Sequence, residues 1–168
     1  MAEVVLAAKL QERDLDAKAV VDSAGIGNWH LGEDMDPRAA AALARRGYAV
    51  PRHRARQFKG AWLDTIDVVV AMDRSHLSSL RSIRAARRPP FSSGEVHLFG
   101  SFQPQRGILG TDGASAHAGD PDIPDPYYGP DSSFDSCLEM IEKGCEALAT
   151  EIQELLGPSG TSAGEQTP

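Results

Sequence analysis

Residues 65–80 read TIDVVVAMDRSHLSSL, and this stretch decides the fold. Val68, Val69 and Val70 form a β-branched run without polar alternation, the pattern of a strand buried on both faces of a parallel sheet. From Asp73 the period changes to about 3.6, with Leu77, Leu80 and Ile83 recurring on one face of a helix expected over 73–88. Asp73 is placed to cap that helix. A two-sided strand running straight into an amphipathic helix is the unit of an α/β fold.

Working outward, the same alternation recurs. AVVDSAG (19–25) reads as a buried strand ending in turn residues, and EVHLFGSF (95–102) as another. AEVVLAAKLQERD (2–14) reads as a helix with Val4, Val5, Ala8 and Leu10 on roughly one face. MDPRAAAALARRG (35–47) carries a helix start and stop: Asp36 as N-cap, Pro37 at the first helical position, Gly47 past the end. The last helix is the clearest, with Phe134, Leu138, Ile141, Cys145, Leu148, Ile152 and Leu155 stepping by four and three. The polar tail beyond Gly157 is expected to be disordered, and residues 103–119 hold no motif. One domain over 1–156 and a tail over 157–168 follow.

Composition narrows the function classes. A hydrophobic share of 41% suits a globular domain, and a net charge of −7 argues against general nucleic-acid affinity. No run reaches the ~18 apolar residues of a membrane span. No secretion signal is visible, and two cysteines make no disulfide framework, so a cytoplasmic setting is expected. The cluster RRGYAVPRHRAR (45–56) reads first as a solvated face.

One stretch asks for chemistry. DPDIPDPYYGPD (120–131) sets Asp120, Asp122 and Asp125 among four prolines, with Tyr127 and Tyr128 directly behind. The prolines fix φ and withhold donors, so this is a stiff exposed loop. Asp120 and Asp122 read as solvated turn carboxylates. In an open parallel sheet ligands bind beyond the carboxyl ends of the strands. DSAG, AMD and DPYYG all lie there, so a site at one rim is expected.

DSAGIGNWHLGEDMDPRAAAALARRGY (22–48), HRARQF (53–58), VVVAMDRSHL (68–77) and IPDPYYG (123–129), in this order and spacing, resemble the low-molecular-weight protein-tyrosine phosphatases. The resemblance runs from Met1 to about Leu156. It implies a three-layer, doubly wound parallel sheet of four strands and hydrolysis of phosphotyrosine proteins or small aryl phosphates through a cysteinyl-phosphate, with no metal or cofactor. It implies Asp125 as the acid that protonates the leaving phenolate. Trp29, His30, Tyr127 and Tyr128 would then wall the substrate cleft, and Ser23 and His53 would support the phosphate loop. The resemblance says nothing of oligomeric state.

The chain departs from the family at one place. It contains no Cys-x5-Arg: Cys137 is followed six residues later by Lys143, and Cys145 by Glu151. Both cysteines lie on or near the apolar face of the last helix, where core packing is the plain reading. In the family the phosphate loop and a preceding interior strand come directly before residues like MAEVVLAAKL, so Met1 stands just after the missing loop. A start assigned at a methionine that follows the loop is the economical explanation. The 168 residues as written are then expected to lack activity, and a seam left by an interior strand undermines stability. Two further readings stay open: an arsenate reductase-like member of the same fold, and a non-catalytic interaction protein.

Overall fold

The computed structural model describes residues 1–87, 95–102 and 122–157. In chain order the elements are α1 (Ala2–Gln11), α2 (Pro37–Arg45), β1 (Val68–Ala71), α3 (Arg74–Ala85), β2 (Glu95–Leu98) and α4 (Asp131–Leu156), with 3-10 turns at Gly60–Asp64 and Phe99–Ser101. β1 and β2 pair in parallel, Val68 opposite Glu95 and Ala71 opposite Leu98. The chain is therefore α/β, with helices on both faces of the sheet.

Side-chain alternation along the strands builds the layers. Val69, Ala71, Val96 and Leu98 face α3 and pack with Leu77, Leu80 and Leu63. Val70 and Met72 face the other way, onto a larger core of Val4 and Val5 from α1, Ala39, Ala42 and Leu43 from α2, and Phe134, Leu138, Ile141 and Cys145 from α4. Each fully buried side chain of this size contributes about 1.5–3 kcal/mol by leaving water. Gly144 lets the Phe99 ring lie against α4, since a Cβ there would sit 2.3 Å from the ring.

The helix ends follow their capping chemistry. The Asp36 carboxylate accepts from the Arg38 N–H at 2.8 Å with Pro37 at the first helical position, and Gly47 takes φ +83° beyond α2. Asp73 accepts from the His76 N–H at 2.7 Å and caps α3. α1 stops at Gln11, short of the expected Asp14, because Asp14 turns left-handed at φ +55°. The Arg13 guanidinium donates to the Lys9 carbonyl at 2.8 Å and satisfies the helix end.

Several expectations need correction. AVVDSAG (19–25) forms no strand: among the described residues its only pairing is an isolated bridge between Gly25 and Gln57, and Val20 is 95% exposed. A strand needs a ladder partner, and none of the described residues offers one to Val20–Ala24. The four strands implied by the resemblance are thus two among the described residues. β2 is shorter than 95–102, because Phe99–Ser101 tightens into a 3-10 turn. Leu155 is 56% exposed, at the end of α4 where no layer of the described residues covers it. Asp122 is exposed, as a solvated carboxylate should be, but it also accepts from the Arg74 N–H at 3.2 Å and pairs with the Arg74 guanidinium at 2.9 Å, at the start of α3. Asp120, the stretch 103–119 and the tail 158–168 lie outside the described residues.

Candidate active site

The start of α1 and three loops meet at one end of the molecule. One loop follows Val21, a second runs from Pro51 to Phe58, and the third is the proline-rich loop before α4. The third loop is tied to the carboxyl end of β1, where the Ile123 N–H donates to the Met72 carbonyl at 2.9 Å. Strand geometry therefore fixes where this loop enters the rim.

Two adjoining cavities open between these segments. The first, of about 400 Å³, lies at the start of α1, with Met1, Glu3, Ser23, His30, His53 and Tyr127 among its walls. The second, of about 380 Å³, is bounded by Ser23, Trp29, His30, His53, His76 and Asp125 among others. Ser23, His30, His53 and Ala55 belong to both. Tyr128 lines neither and is 94% exposed.

The floor is polar. The Ser23 hydroxyl donates to the Glu3 carboxylate, and His53 Nδ1 stands 3.9 Å from the same carboxylate. Glu3 thus sits between the two residues expected to support a phosphate loop. The His53 N–H donates to Asp34 at 3.2 Å. The Met35 and His53 N–H groups together hold the Asp34 carboxyl below its ordinary value. The Arg56 guanidinium pairs with Asp22 and reaches the Ser23 carbonyl at 3.3 Å, which fixes the DSAG turn.

The walls are aromatic. His30 bonds Glu33 at 2.8 Å and lies 5.5 Å from the Tyr127 ring. Tyr127 and Tyr128 meet edge to face at 5.1 Å. Trp29 is 83% exposed and folds back over Gly27, where any Cβ would overlap its ring. Asp125 accepts the Tyr127 N–H at 3.0 Å, a tight turn that holds its carboxyl at the second cavity. A carboxyl group, aromatic walls and the amino end of a helix thus border two adjoining cavities.

Of the residues expected here, the structure brings Ser23, Trp29, His30, His53, Asp125 and Tyr127 to this rim and leaves Tyr128 outside both cavities. Glu3, Asp34 and His76 line the cavities too and were not expected from the sequence. Glu3 sits in the first turn of α1 beside Val4 and Val5, and no local pattern marks it. Among the described residues, no group of three or more His, Cys, Asp or Glu side chains is gathered to hold a metal. Cys137 and Cys145 are buried in α4 and line neither cavity. Burial raises the thiol of Cys137, and that of Cys145 to about 12.

The family described as low molecular weight phosphotyrosine protein phosphatase matches residues 1–156. The chain belongs to this family. The low molecular weight protein-tyrosine-phosphatase of Streptomyces coelicolor is 39% identical over 154 residues, 92% of this chain and 85% of that protein. Low molecular weight protein-tyrosine phosphatase A of Mycobacterium tuberculosis is 37% identical over 164 residues, 96% of this chain and 88% of that protein. The crystal structure of YfkJ from Bacillus subtilis superposes with a TM-score of 0.72 at 27% identity, covering 93% of this chain and 87% of that one. By family, then, this is a protein-tyrosine phosphatase fold, a hydrolase. No helix among the described residues is long and apolar enough to cross a membrane.

Proposed function

We propose that this site serves hydrolysis of phosphotyrosine or aryl phosphate monoesters, with Asp125 as general acid. The observation that carries the reading is the convergence of Asp125, Trp29, His30 and Tyr127 beside Ser23 and His53 at the start of α1. A phosphate held at a helix amino terminus gains from free N–H groups and the helix dipole. In the first step a thiolate attacks phosphorus and the P–O bond to the aryl group breaks. The Asp125 carboxyl gives its proton to the departing phenolate. In the second step the Asp125 carboxylate takes a proton from water, whose oxygen attacks phosphorus as the P–S bond breaks.

The thiolate for that sequence is not among these 168 residues, which hold no Cys-x5-Arg. Cys137 and Cys145 are buried and held protonated. The proposal is therefore specific: these residues supply the acid and the cleft walls, and the nucleophile is a thiolate of a Cys-x5-Arg loop that they do not contain. Substrates are phosphotyrosine-bearing proteins or small aryl phosphates in a cytoplasmic setting.

Mass spectrometry of the N-terminal peptide of the native protein tests this first. A Cys-x5-Arg sequence before Met1 should accompany aryl-phosphate hydrolysis, and Asp125→Ala should slow it by about 10²–10⁴-fold. Hydrolysis by the 168 residues alone, or an extended chain indifferent to Asp125→Ala, would sink the proposal. A native chain beginning at Met1 that folds and binds no vanadate would support the non-catalytic interaction reading instead.

A further inference from the structure

Asp125 and Tyr127 belong to a loop whose internal bonds set its shape but not its position. The Tyr127 N–H reaches Asp125 and the Gly129 N–H reaches the Pro126 carbonyl at 2.9 Å, both within the loop. An arginine from another element holds its middle. Arg38, in the first turn of α2, donates through Nη2 to the Tyr127 carbonyl at 2.9 Å and through Nη1 to the Gly129 carbonyl at 3.2 Å.

The same guanidinium is fixed from behind. Asp36 accepts from its Nε at 3.1 Å and its Nη2 at 2.8 Å. Its Cζ lies over the Phe134 ring, 4.6 Å from the centroid, and over the Tyr127 ring, 5.7 Å from the centroid. An ordinary surface ion pair with Asp36 contributes little and would not engage two backbone carbonyls. A planar fork with five donors can serve one carboxylate and two carbonyls at once, and an ammonium cannot. α2 itself is pinned in the core through Ala39, Ala42 and Leu43.

We propose that Arg38 is the positioning residue of the acid loop: it transmits the fixed placement of α2 to Tyr127 and Gly129, and so sets where Asp125 stands. The proposal rests on the reading of Asp125 as the acid. Asp36 acts one step further back, holding the guanidinium that holds the loop.

Site-resolved amide hydrogen exchange on the 168-residue chain tests it. Arg38→Ala should speed exchange at Tyr127 and Gly129 by about tenfold or more, while amides in the middle of α4 keep their rates. Arg38→Lys should not restore slow exchange. Arg45→Ala, which removes an α2 ion pair to Asp135 away from the loop, should leave both amides unchanged. Unchanged exchange at Tyr127 and Gly129 in Arg38→Ala would overturn the proposal. So would full rescue by lysine, which would mean that charge alone matters, or a uniform rise through α4, which would mean that Arg38 only stabilises the fold. If Arg38→Ala does not fold, Arg38→Lys carries the same test, since it too must loosen these two amides. Should Asp125 not be the acid, the exchange pattern stands while Asp125→Ala leaves hydrolysis unaffected, so the two failures are separable.

Discussion

The α4 layer and the rim over residues 20–36 and 48–58 are built on opposite principles. α4 buries Phe134, Leu138, Ile141, Cys145 and Leu148 along one stripe of a 26-residue helix. The rim has one isolated bridge, and Val20 and Trp29 are almost fully exposed. What holds the rim is polar: Gly32 N–H to the Ala55 carbonyl, Ala55 N–H to the Glu33 carbonyl, His53 N–H to Asp34, and Arg56 to Asp22. A scaffold made by burial and a site made by individual hydrogen bonds should respond differently to mutation, solvent and pH.

The largest contrast is chemical. Burial raises the Cys145 thiol from the ordinary 9.0 to about 12, which leaves on the order of a thousandfold less thiolate at neutral pH. Native protein should therefore resist iodoacetamide at pH 8 at both cysteines, and unfolded protein should react at both. Prompt labelling of the native chain at Cys145 would mean that the α4 layer opens as readily as the rim.

Next comes the packing itself. Phe134 is 3% exposed within the main cluster and lies beneath the Arg38 guanidinium. Phe134→Ala should destabilise by about 3–5 kcal/mol in chemical denaturation, the transfer loss plus the cavity left behind. A loss under about 1 kcal/mol would show a layer that collapses around the gap, and the contrast with the rim would fail.

This division explains how much could be read from the sequence. The stripe of α4 as far as Leu148, the caps Asp36 and Asp73 and the strand at Val68–Ala71 are local patterns, and each stands where its pattern placed it. The rim was legible only as far as its segments follow strand ends and carry family motifs. Glu3 meets Ser23 across 20 residues and Arg38 meets Tyr127 across 89, separations that no window of sequence displays. AVVDSAG has the composition of a strand, yet strand formation depends on a neighbour as much as on propensity, and without a ladder the same residues stay irregular.

Between the two regions stands Asp36, which caps α2 on the core side and holds Arg38 on the loop side. The Arg38 hydrogen bonds keep its carboxyl below the ordinary 3.8. A depressed folded value means the stabilisation is complete above the unfolded value and drains as pH falls through the folded one. Asp36→Ala should thus cost about 1 kcal/mol at pH 7, and the penalty should shrink as denaturation is repeated below about pH 4. A penalty that is constant down to pH 2 would assign the effect to packing rather than to the charged cap.

The smallest expected effect is the most informative about the rim. Val20 is 95% exposed and Val21 is half-buried, packed against Leu10, Leu15 and Ala149. Threonine matches valine in shape and replaces one methyl by a hydroxyl, which costs little in water but about 1–3 kcal/mol when buried without a partner. Val20→Thr should therefore shift stability by less than about 0.5 kcal/mol, whereas Val21→Thr should cost more. Equal and substantial losses at both positions would mean that Val20 too is covered, as a ladder with strands on either side would cover it. That outcome would move 19–25 from the irregular rim into the sheet, and it would erase the boundary between the two regions at the segment that carries Ser23.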